Sequence, residues 1–289
     1  MEYRTLDIKS SVFLLTRFNL NLFPKDKEGI STRTEEWLDD RFRLFEKYCF
    51  PSVLNQSCKD FIWVVLYDDK TPTKYKEKIT SYQDQMKNFL PVFFSSEEAE
   101  NHKSLINQVV AGHKDESSCL ITARVDNDDA LHKDFIKNAT NLKEQTKELN
   151  HFYSFGIGLQ YYVKKNFAVR LRYEKNHFLV SVTNHYDKGR VRNILEFLHP
   201  SIADYGVPFT CVNNVEPMWV EVVHQHNVNN DCIMTLPQKP VYDDRILQQA
   251  FNWEVKLDKK NTRKKFFLFF MPHFCSQFIK KVKVKLFGK

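Results

Sequence analysis

Arg124-Val125-Asp126-Asn127-Asp128-Asp129 carries the densest chemistry in this chain, directly after the apolar run from Ser118 to Val125. Carboxylates one residue apart are oxygen ligands for a hard divalent cation. Mg²⁺ in particular is usually held by one or two carboxylates together with substrate phosphates. A cation held there neutralises the charge that grows on a departing diphosphate. On a short turn Asp126 and Asp128 reach the same side, toward a ribose and a metal. Arg124, two residues earlier on one strand face, offsets the acidic density or touches a phosphate. Alone, an Asp-x-Asp triplet also describes an acidic turn with an Asp capping a helix over 130–135. Two other motifs are excluded. An EF-hand loop needs an oxygen ligand and then a glycine where Ala130 and Leu131 stand. A phosphatase-type nucleophile needs Thr or Val at the place of Ala130.

The elements that must position this turn alternate in type. Val12-Phe13-Leu14-Leu15 is an apolar run ending in Thr16-Arg17-Phe18-Asn19. Thr32-Arg33-Thr34-Glu35 fits a capping box, and Leu38, Phe42, Phe45 and Cys49 follow at helical spacing. Phe61 to Tyr67 is β-branched and aromatic and stops at Asp68-Asp69. A charged helical stretch over 73–88 precedes a strand at Val92-Phe93-Phe94, and a helix capped near Ser96 carries Leu105, Ile106, Val109 and Val110. Strands separated by helices imply parallel βαβ units, which bring the C-terminal strand ends to one edge, where open α/β sheets bind ligands. Three polar strand ends, at 16–19, 68–69 and 126–129, are therefore expected in one crevice. The second half reads differently. Strands are expected at Phe152–Val163, Phe167–Tyr173 and Met218–His224, with a helical turn or two at Arg190–Phe197, as a partly antiparallel region packed on the first half.

Composition removes several classes of function. The 289 residues can bury a substantial core, and 42% hydrophobic with 27% charged is ordinary for a folded chain. Only seven glycines occur. The one Gly-x-Gly, Gly156-Ile157-Gly158, lacks a third glycine, and no GxxxxGK[ST] is present, so glycine-rich phosphate loops are absent. The net charge of +7 belongs to the C-terminus, because residues 263–289 hold eight Lys or Arg and no acid; removing those eight leaves 35 basic against 36 acidic residues. A nucleic-acid binder spreads its basic face over the folded domain, so no nucleic-acid partner is expected. Six cysteines without a CxxC pair, and an N-terminus without an apolar signal region, point to reduced thiols and a cytoplasmic location.

Taken in order, these blocks resemble a known family. The segment Phe50-Pro51-Ser52 through Gln56 to Tyr67-Asp68-Asp69 resembles the first conserved block of the GT-A inverting glycosyltransferases, Leu15-Thr16-Arg17-Phe18-Asn19 their first strand end, and Ala123 to Asp129 their DXD block. More narrowly, T-R-F-N, P-S-x-x-x-Q, D-F-x-W, R-x-D-N-D-D-A-L and the late W-x-x-V-V-H look like the putative rhamnosyl transferase family of bacteria, over roughly residues 10–230. The resemblance implies an α/β fold of GT-A (Rossmann-like) type, with a mixed, mostly parallel central sheet flanked by helices, over residues 1–262. It implies a nucleotide-sugar pocket lined by Thr16, Arg17, Asn19, Asp68, Arg124 and Asp126. The metal, Mn²⁺ or Mg²⁺, would be held by Asp126, Asp128 and His224, with His226 an alternative ligand; an imidazole suits Mn²⁺ better. The implied reaction is inverting transfer from a nucleotide diphosphate sugar, with dTDP-rhamnose as donor, to a glycan or lipid-linked glycan in cell-surface polysaccharide assembly.

Inverting transfer also needs a general base, usually Asp or Glu. The stretch Asn176 to Thr183 resembles one expected to end in an acid, yet Thr183-Asn184 stands there. Asp187, Glu216 and Glu221 remain open for the role. Residues 263–289, with seven Phe and eight cations, are too short in apolar length to span a bilayer but suit its interface, where each Lys or Arg contributes on the order of 1 kcal/mol against an anionic leaflet. A peripheral place on the inner face of the cell membrane follows. Two other readings use the same residues: a Mg²⁺-dependent nucleotidyl or phosphoryl transferase, and a non-catalytic membrane-associated scaffold.

Overall fold

The computed structural model describes residues 9–22, 25, 29, 31–32, 34–117, 119–184, 193–224 and 238–271. Two sheets hold the chain together. The larger has seven strands in the order β10-β6-β9-β4-β1-β2-β3. Here β1 is Val12–Arg17, β2 Ile62–Asp68, β3 Phe89–Phe94, β4 Leu120–Arg124, β6 Asn150–Phe155, β9 Val180–Thr183 and β10 Phe209–Val212. Strands β4, β1, β2 and β3 are mutually parallel, β10 is parallel to β6, and β9 runs antiparallel to both β4 and β6. This is the mostly parallel, helix-flanked sheet expected of the GT-A type.

Period-two alternation explains why the central strands are buried on both faces. Along β2, Trp63, Val65 and Tyr67 enter one hydrophobic cluster, and Ile62, Val64 and Leu66 enter another. Helix α1 (Glu35–Leu44), α2 (Phe50–Leu54) and α3 (Thr73–Gln85) cover the first face. On the second face lies α5 (His102–His113), preceded by the short α4 (Ser96–Glu100). Thr34 caps α1 by accepting the Trp37 N–H, and Ser95 caps α4 in a reciprocal box with Glu98. One π-helical turn, Phe45–Cys49, joins α1 to α2.

The smaller sheet, β12-β8-β7-β11-β5, differs most from expectation. It comprises β5 (Ala130–Leu131), β7 (Ile157–Tyr162), β8 (Phe167–Arg172), β11 (Trp219–Val223) and β12 (Gln238–Pro240). The single strand expected over Phe152–Val163 is two strands, β6 and β7, parted at Gly156 and belonging to different sheets. A Cβ at Gly156 would stand 2.7 Å from the Cys211 sulfur, so glycine lets the chain cross between sheets here. Where a helical turn was expected over 190–197, the described part is a short 3₁₀ turn, Ile194–Glu196, capped by Asn193.

Helix α6 (Phe135–Asn141) packs beneath the first sheet, and α7 (Arg245–Phe251) packs with Trp253 against the second. Residues 262–271 are helical: Phe266, Phe269 and Phe270 pack on Tyr162, Phe167 and Val169, while Phe267, Leu268 and Met271 stand exposed. No helix among the described residues is long and apolar enough to cross a membrane. Cys49, Cys58, Cys119 and Cys211 are free thiols; Cys232 and Cys275 lie outside the described residues.

Candidate active site

The three polar strand ends meet. Phe18 N–H continues the β1 ladder onto the Leu66 carbonyl, and the Asn127 side-chain amide donates to the Phe18 carbonyl at 2.7 Å. Asn19 bridges β1 to β2: its Oδ1 accepts the Asp68 N–H, and its Nδ2 donates to Thr71 Oγ1. Asp68 folds its own turn by accepting the Lys70 N–H at 2.8 Å. Thr16 has no exposed surface, and its hydroxyl accepts the Trp63 indole N–H at 2.9 Å. Its contribution is to the strand end from within, and it offers a ligand no surface.

Each carboxylate of the acidic turn is held differently. Arg124 donates through Nη2 to Asp126 at 3.0 and 3.3 Å. Burial pushes the Asp126 carboxyl up, but Arg124, His177 and Arg17 together hold it well below the usual carboxylate range. Asp128 Oδ2 accepts from Arg41 Nη1 at 2.7 Å and faces His224 Nε2 at 2.8 Å. Burial again opposes ionisation there, and Arg41 and His224 outweigh it. Asp129 is wholly buried; Oδ1 accepts the Val222 N–H at 2.8 Å, and Oδ2 lies 2.7 Å from His177 Nε2. Burial, with Asp128 and Asp126 nearby, drives its carboxyl well above the ordinary value. Two ionised carboxylates therefore stand beside one that favours its proton.

The basic groups sit on the same edge. Arg17 is half-buried, and burial and then Arg124 lower its guanidinium while Asp126 raises it, which places it with that pair. Arg124 is buried, and its Nε has no hydrogen-bond partner. A buried guanidinium with an unused N–H at a sheet edge is a donor waiting for an anion. His199 donates Nδ1–H to the Lys175 carbonyl at 2.8 Å, and its ring lies 5.8 Å from that of His177. Burial lowers His199 to about 4, so it is a neutral imidazole.

Oxygen and nitrogen ligand atoms of Asp126, Asp129 and His177 lie within 4.8 Å of one another. That trio differs from the expected one of Asp126, Asp128 and His224. Asp126 and Asp128 are both held below the ordinary carboxylate range, and His224 stands against Asp128. His226 and Asp187 lie outside the described residues, and Glu216 is exposed.

Sequence reasoning missed Arg41, His177 and His199. Arg41 left a signal: Trp37, Arg41, Leu44 and Tyr48 recur at helical spacing, and all four are buried. An arginine within such a stripe needs a buried acid, and Asp128 is that acid. For His177 and His199 nothing local marks them, since their partners come from the acidic turn after β4 and from the Lys175 carbonyl.

A parallel sheet edge here joins an Asp-x-Asp turn to the guanidiniums of Arg17 and Arg124. The chain belongs to the family described as putative rhamnosyl transferase, whose model matches residues 12–236. No curated protein matches the chain. Among solved structures it is similar to S. aureus TarS 1–349 in complex with UDP, at 9% identity and a TM-score of 0.42, covering 74% of this chain and 60% of that one. The same fragment in complex with UDP-GlcNAc gives 12% identity and a TM-score of 0.41, over 76% and 60%. A putative nucleotide-diphospho-sugar transferase from Desulfovibrio desulfuricans G20 gives 8% and 0.36, over 75% and 83%. The chain thus spans about 60% of the TarS fragment's length.

Proposed function

We propose that this protein transfers a sugar, with inversion, from a nucleoside diphosphate donor to a hydroxyl of a glycan or lipid-linked glycan, in the assembly of a bacterial surface polysaccharide. Family membership favours dTDP-rhamnose as the donor. The observation that carries the reading is Asp126 held ionised between Arg17 and Arg124 at the parallel sheet edge, on a turn that Asn127 ties to the end of β1. Guanidiniums there meet a diphosphate, and the buried Arg124 Nε–H is already aimed without a partner. Asp126, Asp128 and His224 would hold Mn²⁺ or Mg²⁺, which when bound stabilises the departing diphosphate. Such a cation competes with Arg124 and Arg41 for the same carboxylate oxygens.

The test is a thermal-shift panel of nucleoside diphosphates and their sugars, with and without Mn²⁺. A ligand at about 100 times its dissociation constant adds roughly 2.7 kcal/mol of stability, which the panel registers. Release of a nucleoside diphosphate from the donor supports transfer. Release of pyrophosphate supports a nucleotidyl transferase instead, and no shift with any member supports a scaffold. Activity undiminished by EDTA assigns the neutralising role to Arg124 and Arg41 alone, a second reading that their ion pairs favour.

The C-terminal segment from 263 onward serves, in this reading, to seat the enzyme on the inner face of the cell membrane. Phe267, Leu268 and Met271 point outward beside exposed Arg263 and Lys264, the composition of an interfacial helix. Replacing Phe267, Leu268 and Met271 together by Ser should abolish sedimentation with anionic vesicles and leave donor binding intact. Unchanged sedimentation would remove this part.

A further inference from the structure

The base that must take the acceptor proton can be sought on the inner face of the smaller sheet. In the β7–β11 register Val220 opposes Leu159 and Glu221 opposes Gln160. Alternation then gives one face in three rows: Trp219 over Gly158, Glu221 beside Gln160, and Val223 with Tyr162. Trp219 stacks on Phe178 at 4.9 Å, next to His177, so this face looks toward the acidic turn. The strand is locked to that turn by the Val222 N–H bond to Asp129 and by His224 on Asp128.

Within this face Glu221 is buried and held at one oxygen. Gln160 Nε2 donates to Glu221 Oε2 at 2.6 Å, and the Tyr162 hydroxyl donates to Gln160 Oε1 at 2.9 Å. Tyr162 therefore fixes which way the Gln160 amide points, and the amide presents N–H to the carboxylate. A carboxylate steadied at one oxygen has the other to receive a proton. Glu216 is exposed, and no polar contact of its side chain ties it to the acidic turn.

We propose that Glu221 is the general base of the transfer, with Gln160 and Tyr162 as positioning residues. This rests on the transferase reading above. As the acceptor oxygen bonds to the anomeric carbon, the bond from that carbon to the diphosphate oxygen breaks. The diphosphate leaves with the electron pair, and the acceptor hydroxyl's proton passes to Glu221. Burial raises the Glu221 carboxyl to about 7, near the value at which a base works best at neutral pH. The titratable groups bearing on it are His177, Asp129 and Asp128, with Tyr173 feeling its charge in turn.

The experiment measures release of nucleoside diphosphate from dTDP-rhamnose and from UDP-sugars with water as acceptor, for wild type, Glu221→Gln, Glu221→Asp and Gln160→Met. Nucleoside diphosphate affinity is titrated alongside. Glu221→Gln should lower kcat by about 100-fold or more and leave nucleotide affinity within twofold. Glu221→Asp should recover part of the loss. Wild-type kcat should rise through a limb near pH 7, and Gln160→Met, which removes the bond favouring the ionised form, should move that limb to higher pH. Glu221→Gln turnover within fivefold of wild type, or an unmoved limb in Gln160→Met, overturns the proposal. Should wild type release no nucleoside diphosphate from any donor, the transferase reading itself fails, a separate result.

Discussion

Replacing Arg41 by Met should destabilise the protein by about 3–5 kcal/mol at pH 7, the usual cost of stranding one member of a buried ion pair. The side chains of Arg41 and Asp128 are 5% and 7% exposed, so water cannot take over the lost contact at 2.7 Å. Met keeps the aliphatic stem that packs over Trp37, where the guanidinium lies 5.0 Å from the ring centroid. With about 2.1 cal/mol/K of unfolding entropy per residue, 289 residues give about 0.6 kcal/mol/K, and the loss becomes about 5–8 °C in Tm. The pH dependence has a definite sign. Burial raises the Asp128 carboxyl, but Arg41 and then His224 bring it below its ordinary value. A carboxylate depressed in the folded state contributes stability above its unfolded pKa, and loses it as pH falls through the folded one. The Arg41→Met penalty is therefore full at pH 7. It shrinks as pH falls to about 4, because Asp128 of the variant, facing His224 but without Arg41, takes up a proton more readily than in the wild type. Urea denaturation at both pH values reads it. A penalty below about 1 kcal/mol at pH 7, or one unchanged at pH 4, would refute the reasoning.

Three further outcomes follow from contacts described above. In Gly158→Ala the new Cβ meets the Trp219 indole at 2.1 Å, and that ring is buried with its N–H on the Phe155 carbonyl; urea denaturation should show a loss of about 3 kcal/mol, the upper end for overpacking. Trp63→Phe strands the buried Thr16 hydroxyl and should cost about 1–2 kcal/mol in the same assay. Glu221 binds its proton more tightly folded than unfolded, so wild-type stability should fall as pH rises from about 4.5 to about 7; Glu221→Gln should be more stable than wild type at pH 8 by a few kcal/mol and no more stable at pH 4.

Much of the central sheet was legible because its strands are apolar runs that stop on polar residues. Val12–Arg17, Ile62–Asp68 and Leu120–Arg124 lie within a residue or two of where composition puts them, and their ends converge as parallel βαβ units require. Apolar content cannot show where one strand leaves its sheet for another. Between Asn150 and Tyr162 the chain is aromatic on both sides of Gly156, so the run reads as unbroken, although its halves serve different sheets. The acidic turn was visible as three aspartates, but their division of labour was not. Asp129 is bonded to Val222 and His177, which arrive from β11 and from the segment before β9, whereas Asp126 is bonded to Arg124. Long-range pairing of this kind leaves no local periodicity. Arg41 is the exception, since an arginine inside an apolar helical stripe announces a distant acid.

Tyr162 belongs to two neighbourhoods at once. Its ring lies 4.8 Å from that of Phe269 and 6.1 Å from that of Phe270, on the helix at 262–271, while its hydroxyl steers the Gln160 amide. An aromatic ring has no internal torsion, so its two ends move as one rigid lever. The helix leading to the basic C-terminus is thereby also part of the scaffolding around the carboxyl on β11. Truncation ahead of residue 262 would unroof that side of the sheet as well as remove the proposed membrane contact, and point changes at outward residues are the means of telling the two effects apart.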